Sequence, residues 1–286
     1  MNMELLDRFE DYLIQEGKSK HTIDSYRSNA KEYMTWVEET FGTEFQQFFR
    51  ENLLEFKSYL KTGKRHKGIL INGKTINHKL CALKKFNDFL ASRGLKNGMA
   101  FRQNDFIRIQ PSYVNPSNFS KRDIELLRQK VLSKNDKRLY CLITLIAYTG
   151  LRISEALNVR VDDVSNKAME LIVRNGKGEK QRIVYINSKV ENAIKEYLPH
   201  RKRKSEYLFP SRVSEKLNRS VVNKEFKKYT QDITPHTLRH FFCTNALENG
   251  FSIHEVAYLA GHSNPRTTLA YSRPTMIEMK RKAEML

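Results

Sequence analysis

One aperiodic stretch, from about Asn97 to Asn118, does most to limit what this chain can fold into. On either side of it apolar residues recur at helical spacing. Within it the recurrence stops, and Gly98, Pro111 and Pro116 stand among several Asn and Ser residues. Such a stretch reads as a linker, and 286 residues are comfortable for two domains. The expected division is a first domain over 1–98, a linker over 99–118 and a second domain over 119–286.

The first domain reads as helices punctuated by glycine. Met3, Leu6, Phe9 and Leu13 stop before Gly17, and Ile23, Tyr26, Ala30, Met34 and Val37 stop before Gly42, with Thr22 as the expected N-cap. Leu53, Phe56 and Leu60 precede Gly63, and Ile76, Leu80, Leu83, Phe86 and Leu90 precede Gly94. The expectation is an all-α domain. The second domain opens with Ser120 as N-cap and Asp123 at the positive end of the helix dipole. Leu139 to Tyr148 is apolar on most sides, which implies a buried helix. The period then shortens. Leu171-Ile172-Val173 and Arg182-Ile183-Val184-Tyr185-Ile186 are β-branched runs separated by Asn175-Gly176-Lys177-Gly178, a hairpin signal. Helical spacing resumes near Lys189. The fold class expected for this domain is mainly α with a small antiparallel β-sheet (α+β).

Fifty-one Lys and Arg against 32 Asp and Glu leave a net charge of +19. Such an excess repels itself on compaction and points to a polyanionic partner. Nucleic acid fits better than a membrane surface, because no basic amphipathic helix with a Trp-rich face is present. The longest apolar run is half a bilayer span, and Met1 to Glu10 lacks the marks of a signal peptide. Cys81, Cys141 and Cys243 are sparse and unpaired in spacing, so they read as free thiols in a cytoplasmic protein.

The chemistry-bearing residues lie between Thr149 and Tyr271. Thr149-Gly150-Leu151-Arg152-Ile153-Ser154-Glu155 places Arg152 just after a glycine break. Lys177 sits between two glycines at the hairpin tip. Pro235-His236-Thr237-Leu238-Arg239-His240 opens a helix with His236 and Arg239 on one face. Leu259-Ala260-Gly261-His262 closes another helix, and Tyr271 follows nine residues after His262. In this order the set resembles the active site of the tyrosine recombinases, the phage-integrase-like family of simple two-domain type. The first domain resembles that family's DNA core-binding domain.

The resemblance implies Arg152, Lys177, His236, Arg239, His262 and Tyr271 as catalytic residues, with Glu155 and His240 in support. It implies a covalent phosphotyrosine at the DNA 3′ phosphate, a Holliday junction, and a homo-tetramer on synapsed duplex sites with inverted-repeat cores, two protomers to a site. The residue types agree with that chemistry. Two guanidiniums can hold the non-bridging oxygens as negative charge grows on them. A phenol of ordinary pKa about 10 needs a base as it attacks, for which His236 is suited, and the leaving oxygen needs an acid, for which Lys177 is suited. No cofactor or metal is expected. His236 and His240 have the spacing of zinc ligands, but Thr237 stands where a zincin needs Glu.

Gly68-Ile69-Leu70-Ile71-Asn72-Gly73-Lys74-Thr75 satisfies the pattern of a phosphate-cradling loop, but no apolar strand precedes it. It reads instead as a basic connector beside DNA, with Thr75 capping the next helix. His200-Arg201-Lys202-Arg203-Lys204 reads as phosphate contacts rather than a site. After Tyr271, Met276, Met279, Ala283 and Leu286 form a narrow stripe, and the resemblance implies a terminal helix that docks on a neighbouring protomer. A mobile-element recombinase is the leading expectation. A type IB topoisomerase and a non-catalytic DNA-binding protein on the same fold are the alternatives.

Overall fold

The computed structural model describes residues 2–94, 101–109, 119–174, 181–262, 266–269 and 284. The chain divides into two compact units, Met1–Pro111 and Ser112–Leu286.

The first unit is built from α1 (Asn2–Gln15), α2 (Lys20–Phe41), α3 (Arg50–Thr62), a ribbon of β1 (Arg65–His66) and β2 (Ile69–Leu70), and α4 (Gly73–Ser92). The helical repeats point inward, and Phe9, Tyr33, Phe45, Phe56, Phe86 and Phe89 are fully buried in one core. The Tyr33 ring stacks on Phe48 and meets Phe56 edge-on, each at 5.0 Å. Such ring pairs add about 0.5–1.5 kcal/mol each beyond their buried area.

Three details differ from the expectation. The unit is helical as expected but adds a two-residue ribbon, β1–β2, whose tight turn is made by Lys67 (φ 50°) and Gly68 (φ 80°). The N-caps of α2 and α4 are Ser19 and Asn72, whose side chains accept from the backbone N–H of Thr22 and Thr75. In both cases the capping oxygen lies three residues before the threonine chosen from sequence. Finally, residues 101–109, within the stretch read as linker, pack on this unit. Phe101 is buried, Asp105 takes a forked pair from Arg50 at 2.8 and 2.9 Å, and Asn77 exchanges two hydrogen bonds with the Ile107 backbone.

The second unit contains α5 (Lys121–Ser133), α6 (Lys137–Thr149), α7 (Ile153–Asn158), β3 (Val164–Ser165), β4 (Glu170–Val173), β5 (Arg182–Tyr185), α8 (Ser188–Tyr197), α9 (Arg219–Phe226), α10 (Pro235–Glu248), α11 (Ile253–Ala260) and α12 (Arg266–Leu269). Helix α6 is its axis: Leu139, Cys141 to Ala147 and Thr149 are buried, and α5, α8 and α10 pack around it. The sheet is antiparallel in the order β3-β4-β5, with Leu171 opposite Val184 and Val173 opposite Arg182. All four of those side chains are on the buried face, so β5 sends one charged group inward. Cys141 and Cys243 are buried, whereas Cys81 is exposed. No helix among the described residues is long and apolar enough to cross a membrane.

Candidate active site

Two helix ends build the site. Helix α6 stops at Gly150 and α11 at Gly261, each with φ +67°, a left-handed conformation that lets the last turn close on a glycine cap. A helix C-terminus is the negative end of its dipole and leaves carbonyls to be satisfied. Arg239, reaching from α10, donates from Nη1 to the Gly150 carbonyl at 2.7 Å. Arg152, the residue before α7, donates from Nη2 to the Gly261 carbonyl at 2.6 Å. Each guanidinium is therefore fixed to the end of a helix distant in sequence.

Glu155 joins Arg152 to a third guanidinium, Arg182. It is buried, and each of its oxygens accepts two hydrogen bonds. Oε1 takes Arg152 Nη1 at 2.8 Å and Arg182 Nη1 at 3.1 Å. Oε2 takes the Arg152 backbone N–H at 2.8 Å and Arg182 Nη2 at 2.9 Å. Burial pushes the Glu155 carboxyl pKa up, but hydrogen bonding and attraction from Arg182, then Arg152, outweigh it, so the net shift is downward and the group is a carboxylate. Arg182 also donates from Nε to the Leu259 carbonyl at 3.0 Å, two residues before Gly261. Three guanidiniums and one carboxylate leave a net charge of two positive units here. That suits a phosphodiester whose single negative charge grows toward two in the transition state.

The histidines beside these cations are held neutral. His262 is pushed down to about 4, by burial first and then by the charges of Arg239, Arg152 and Arg182. Its Nδ1 lies 2.8 Å from the hydroxyl of buried Thr268 in α12. When that hydroxyl donates, the ring hydrogen sits on Nε2 as a donor for a phosphate oxygen. His236 and His240 face each other on consecutive turns of α10, Nε2 to Nε2 at 2.6 Å. His240 is pushed to about 4 by burial, then by His236 and Arg239. His236 is lowered by desolvation, then by Arg239 and Arg219. One Nε2 must donate and the other accept. The tautomer in which His236 donates leaves its Nδ1 able to take a proton.

Of the residues singled out from sequence, Arg152, Glu155, His236, Arg239, His240 and His262 are thus brought together at the starts of α7 and α10 and just past the end of α11. Lys177 and Tyr271 lie outside the described residues. Sequence reasoning missed Arg182 and Thr268. Arg182 carried a usable signal, because it shares the alternation of Val184 and Ile186 and is therefore a charge at an inward strand position. A cavity of about 560 Å³ lies elsewhere on this unit, lined by residues such as Lys137, Arg138, Lys202, Arg203, Arg212 and Lys228 and by none of the site residues.

Comparison with known proteins identifies the family. Residues 118–278 match the description "Phage integrase family", and residues 6–94 match its "N-terminal SAM-like domain". A protein named TnP I resolvase from Bacillus thuringiensis is 46% identical over 99% of this chain and 100% of its own length. Tyrosine recombinase XerA from Thermococcus kodakarensis is 32% identical over 98% of this chain and 94% of its own. Among solved structures, the Tn1549 transposon integrase with circular intermediate DNA shares the fold, with a TM-score of 0.70 at 20% identity over 98% of both chains. The chain belongs to the phage integrase family of tyrosine recombinases, enzymes that cut and rejoin DNA strands.

Proposed function

We propose that this chain is a site-specific recombinase of a mobile element, resolving or excising DNA through a 3′-phosphotyrosine on Tyr271. The observation that carries the reading is the convergence of Arg152 and Arg239, from separate motifs, on two helix ends flanked by neutral histidines. The full-length similarity to a protein named a resolvase favours resolution among the tasks open to such an enzyme.

In this reading the two guanidiniums hold the non-bridging oxygens of the scissile phosphate, and His262 adds a neutral donor. The Tyr271 oxygen attacks phosphorus as its proton passes to His236. The P–O5′ bond breaks, and the departing oxygen takes a proton from Lys177. The phosphotyrosine keeps the bond energy, so the 5′ hydroxyl of a partner strand reverses the steps and no nucleotide is consumed. Thr268, the hydrogen-bond partner of His262, precedes Tyr271 by three residues, a tether of at most about 11 Å. Duplex sites with inverted repeats, two protomers to a site and four to a synapse complete the proposal.

The test is a plasmid carrying two direct copies of a site selected from a random duplex library by binding to the protein. Two circles are expected. Relaxation of a plasmid without sites, and no exchange, would make the chain a topoisomerase of the same chemistry.

A further inference from the structure

We propose that Arg182 is a positioning residue for phosphate activation: it engages Glu155 so that Arg152 is not consumed by that carboxylate. This rests on the recombinase reading above and adds a residue to it.

The placement of Arg182 needs a reason. It stands on the buried face of β5 opposite Val173, with a side chain 8% exposed, where its neighbour two residues on is the aliphatic Val184. A guanidinium there costs several kcal/mol unless fully paired, so packing alone would favour another aliphatic. Its three bonds go to Glu155 Oε1, Glu155 Oε2 and the Leu259 carbonyl. It also fits against Gly261, where an added Cβ would meet Arg182 Cζ at 2.7 Å.

The decisive point is which arginine forms the forked pair. Arg182 faces both oxygens of Glu155, whereas the Arg152 side chain touches only Oε1. Of the five N–H donors of Arg152, one is spent on Glu155 and one on Gly261 among the described residues, which leaves three to offer a phosphate. Without Arg182 the carboxylate has one remaining guanidinium partner. A forked carboxylate pair is the strongest geometry open to it, so Arg152 turns onto Glu155 and both donors and charge are withdrawn from the substrate. Arg182 acts through Glu155 and touches no reacting atom.

The test uses the full chain and suicide half-sites of the selected sequence, with an ordinary phosphate, a methylphosphonate or a 5′-bridging phosphorothiolate at the scissile position. Wild type must form an adduct on the ordinary phosphate; if it forms none, the recombinase reading fails and this proposal with it. R182Q is expected to bind the half-site within about threefold of wild type and to cleave about 100-fold more slowly, the scale at which a misplaced catalytic group is felt. On the methylphosphonate, which carries one charge fewer and depends less on Arg152, the gap should narrow to about threefold. The double variant R182Q/E155Q should recover about tenfold of the lost rate, because the neutral amide no longer captures Arg152. R182K, which keeps the charge but not the fork, should show the same signature at smaller size and decides the matter if R182Q does not fold. Equal deficits on phosphate and methylphosphonate would overturn the proposal. So would rescue by the phosphorothiolate, whose better leaving group reports on the general acid instead.

Discussion

Arg152 donates from Nη2 to the Gly261 carbonyl at 2.6 Å across 109 residues of sequence, fastening one motif to the helix end that precedes His262. The contact depends on the left-handed glycine. An added Cβ there keeps φ at +67° only at a cost of about 1–2 kcal/mol and pushes the Arg182 guanidinium away from Glu155 and Leu259. Gly261→Ala is therefore expected to slow single-turnover cleavage about 10- to 100-fold while half-site binding in a gel-shift assay is kept.

Gly150→Ala should behave in the opposite sense. Its Cβ would meet the Phe242 ring at 2.2 Å, and a ring has no flexible end to move aside. Backbone strain and overpacking together should cost about 3 kcal/mol, a fall of about 10 °C in Tm, more than for Gly261→Ala. Calorimetry of the two variants side by side checks the order.

Arg239, 5% exposed and bonded to the Gly150 carbonyl, cannot be replaced by a point charge. Arg239→Lys should lower the cleavage rate about 10²- to 10³-fold, with half-site affinity changed little, because the forked donors matter most in the transition state. A parallel drop in affinity would place the residue in ground-state binding.

Acid should destabilise the second unit in a defined window. His240 and His262 titrate near 4 in the fold against an ordinary 6.5, so the unfolded chain takes up protons first as pH falls. Their contribution is complete above about pH 6.5 and is lost progressively toward pH 4. The lowered carboxylates Glu155 and Glu125 of this unit lose theirs only below the ordinary carboxylate range, so a fall between pH 6.5 and 5 reports the histidines. Urea midpoints for wild type should decline over that interval, and His240→Asn should decline less. With His236 as the proposed base, its lowered pKa is expected to place the acid limb of the cleavage rate below pH 6.5.

Much of this was legible before any coordinates. The all-round apolar run of α6 marked a buried helix, and Gly150 and Gly261 marked where two helices end and chemistry begins. What sequence hid were partners rather than elements. Glu155 follows Arg152 by three residues and was readable as its support, but the forked partner is Arg182, 27 residues on, and only the β4–β5 register brings it there. The caps of α2 and α4 were misplaced by three residues because serine, asparagine and threonine all compete for the role, and backbone geometry selects among them. The segment 101–109 has no period, yet Phe101 is buried and the Arg50–Asp105 pair holds the segment. Docking without secondary structure leaves no repeat to detect.

The most direct measurement is mass spectrometry of the covalent product after incubation with a nicked half-site. The expected result is a DNA 3′ phosphate on the peptide containing Tyr271, absent in Tyr271→Phe, which still binds the site. An adduct on another residue, a 5′ linkage, or cleavage that survives Tyr271→Phe would contradict the account.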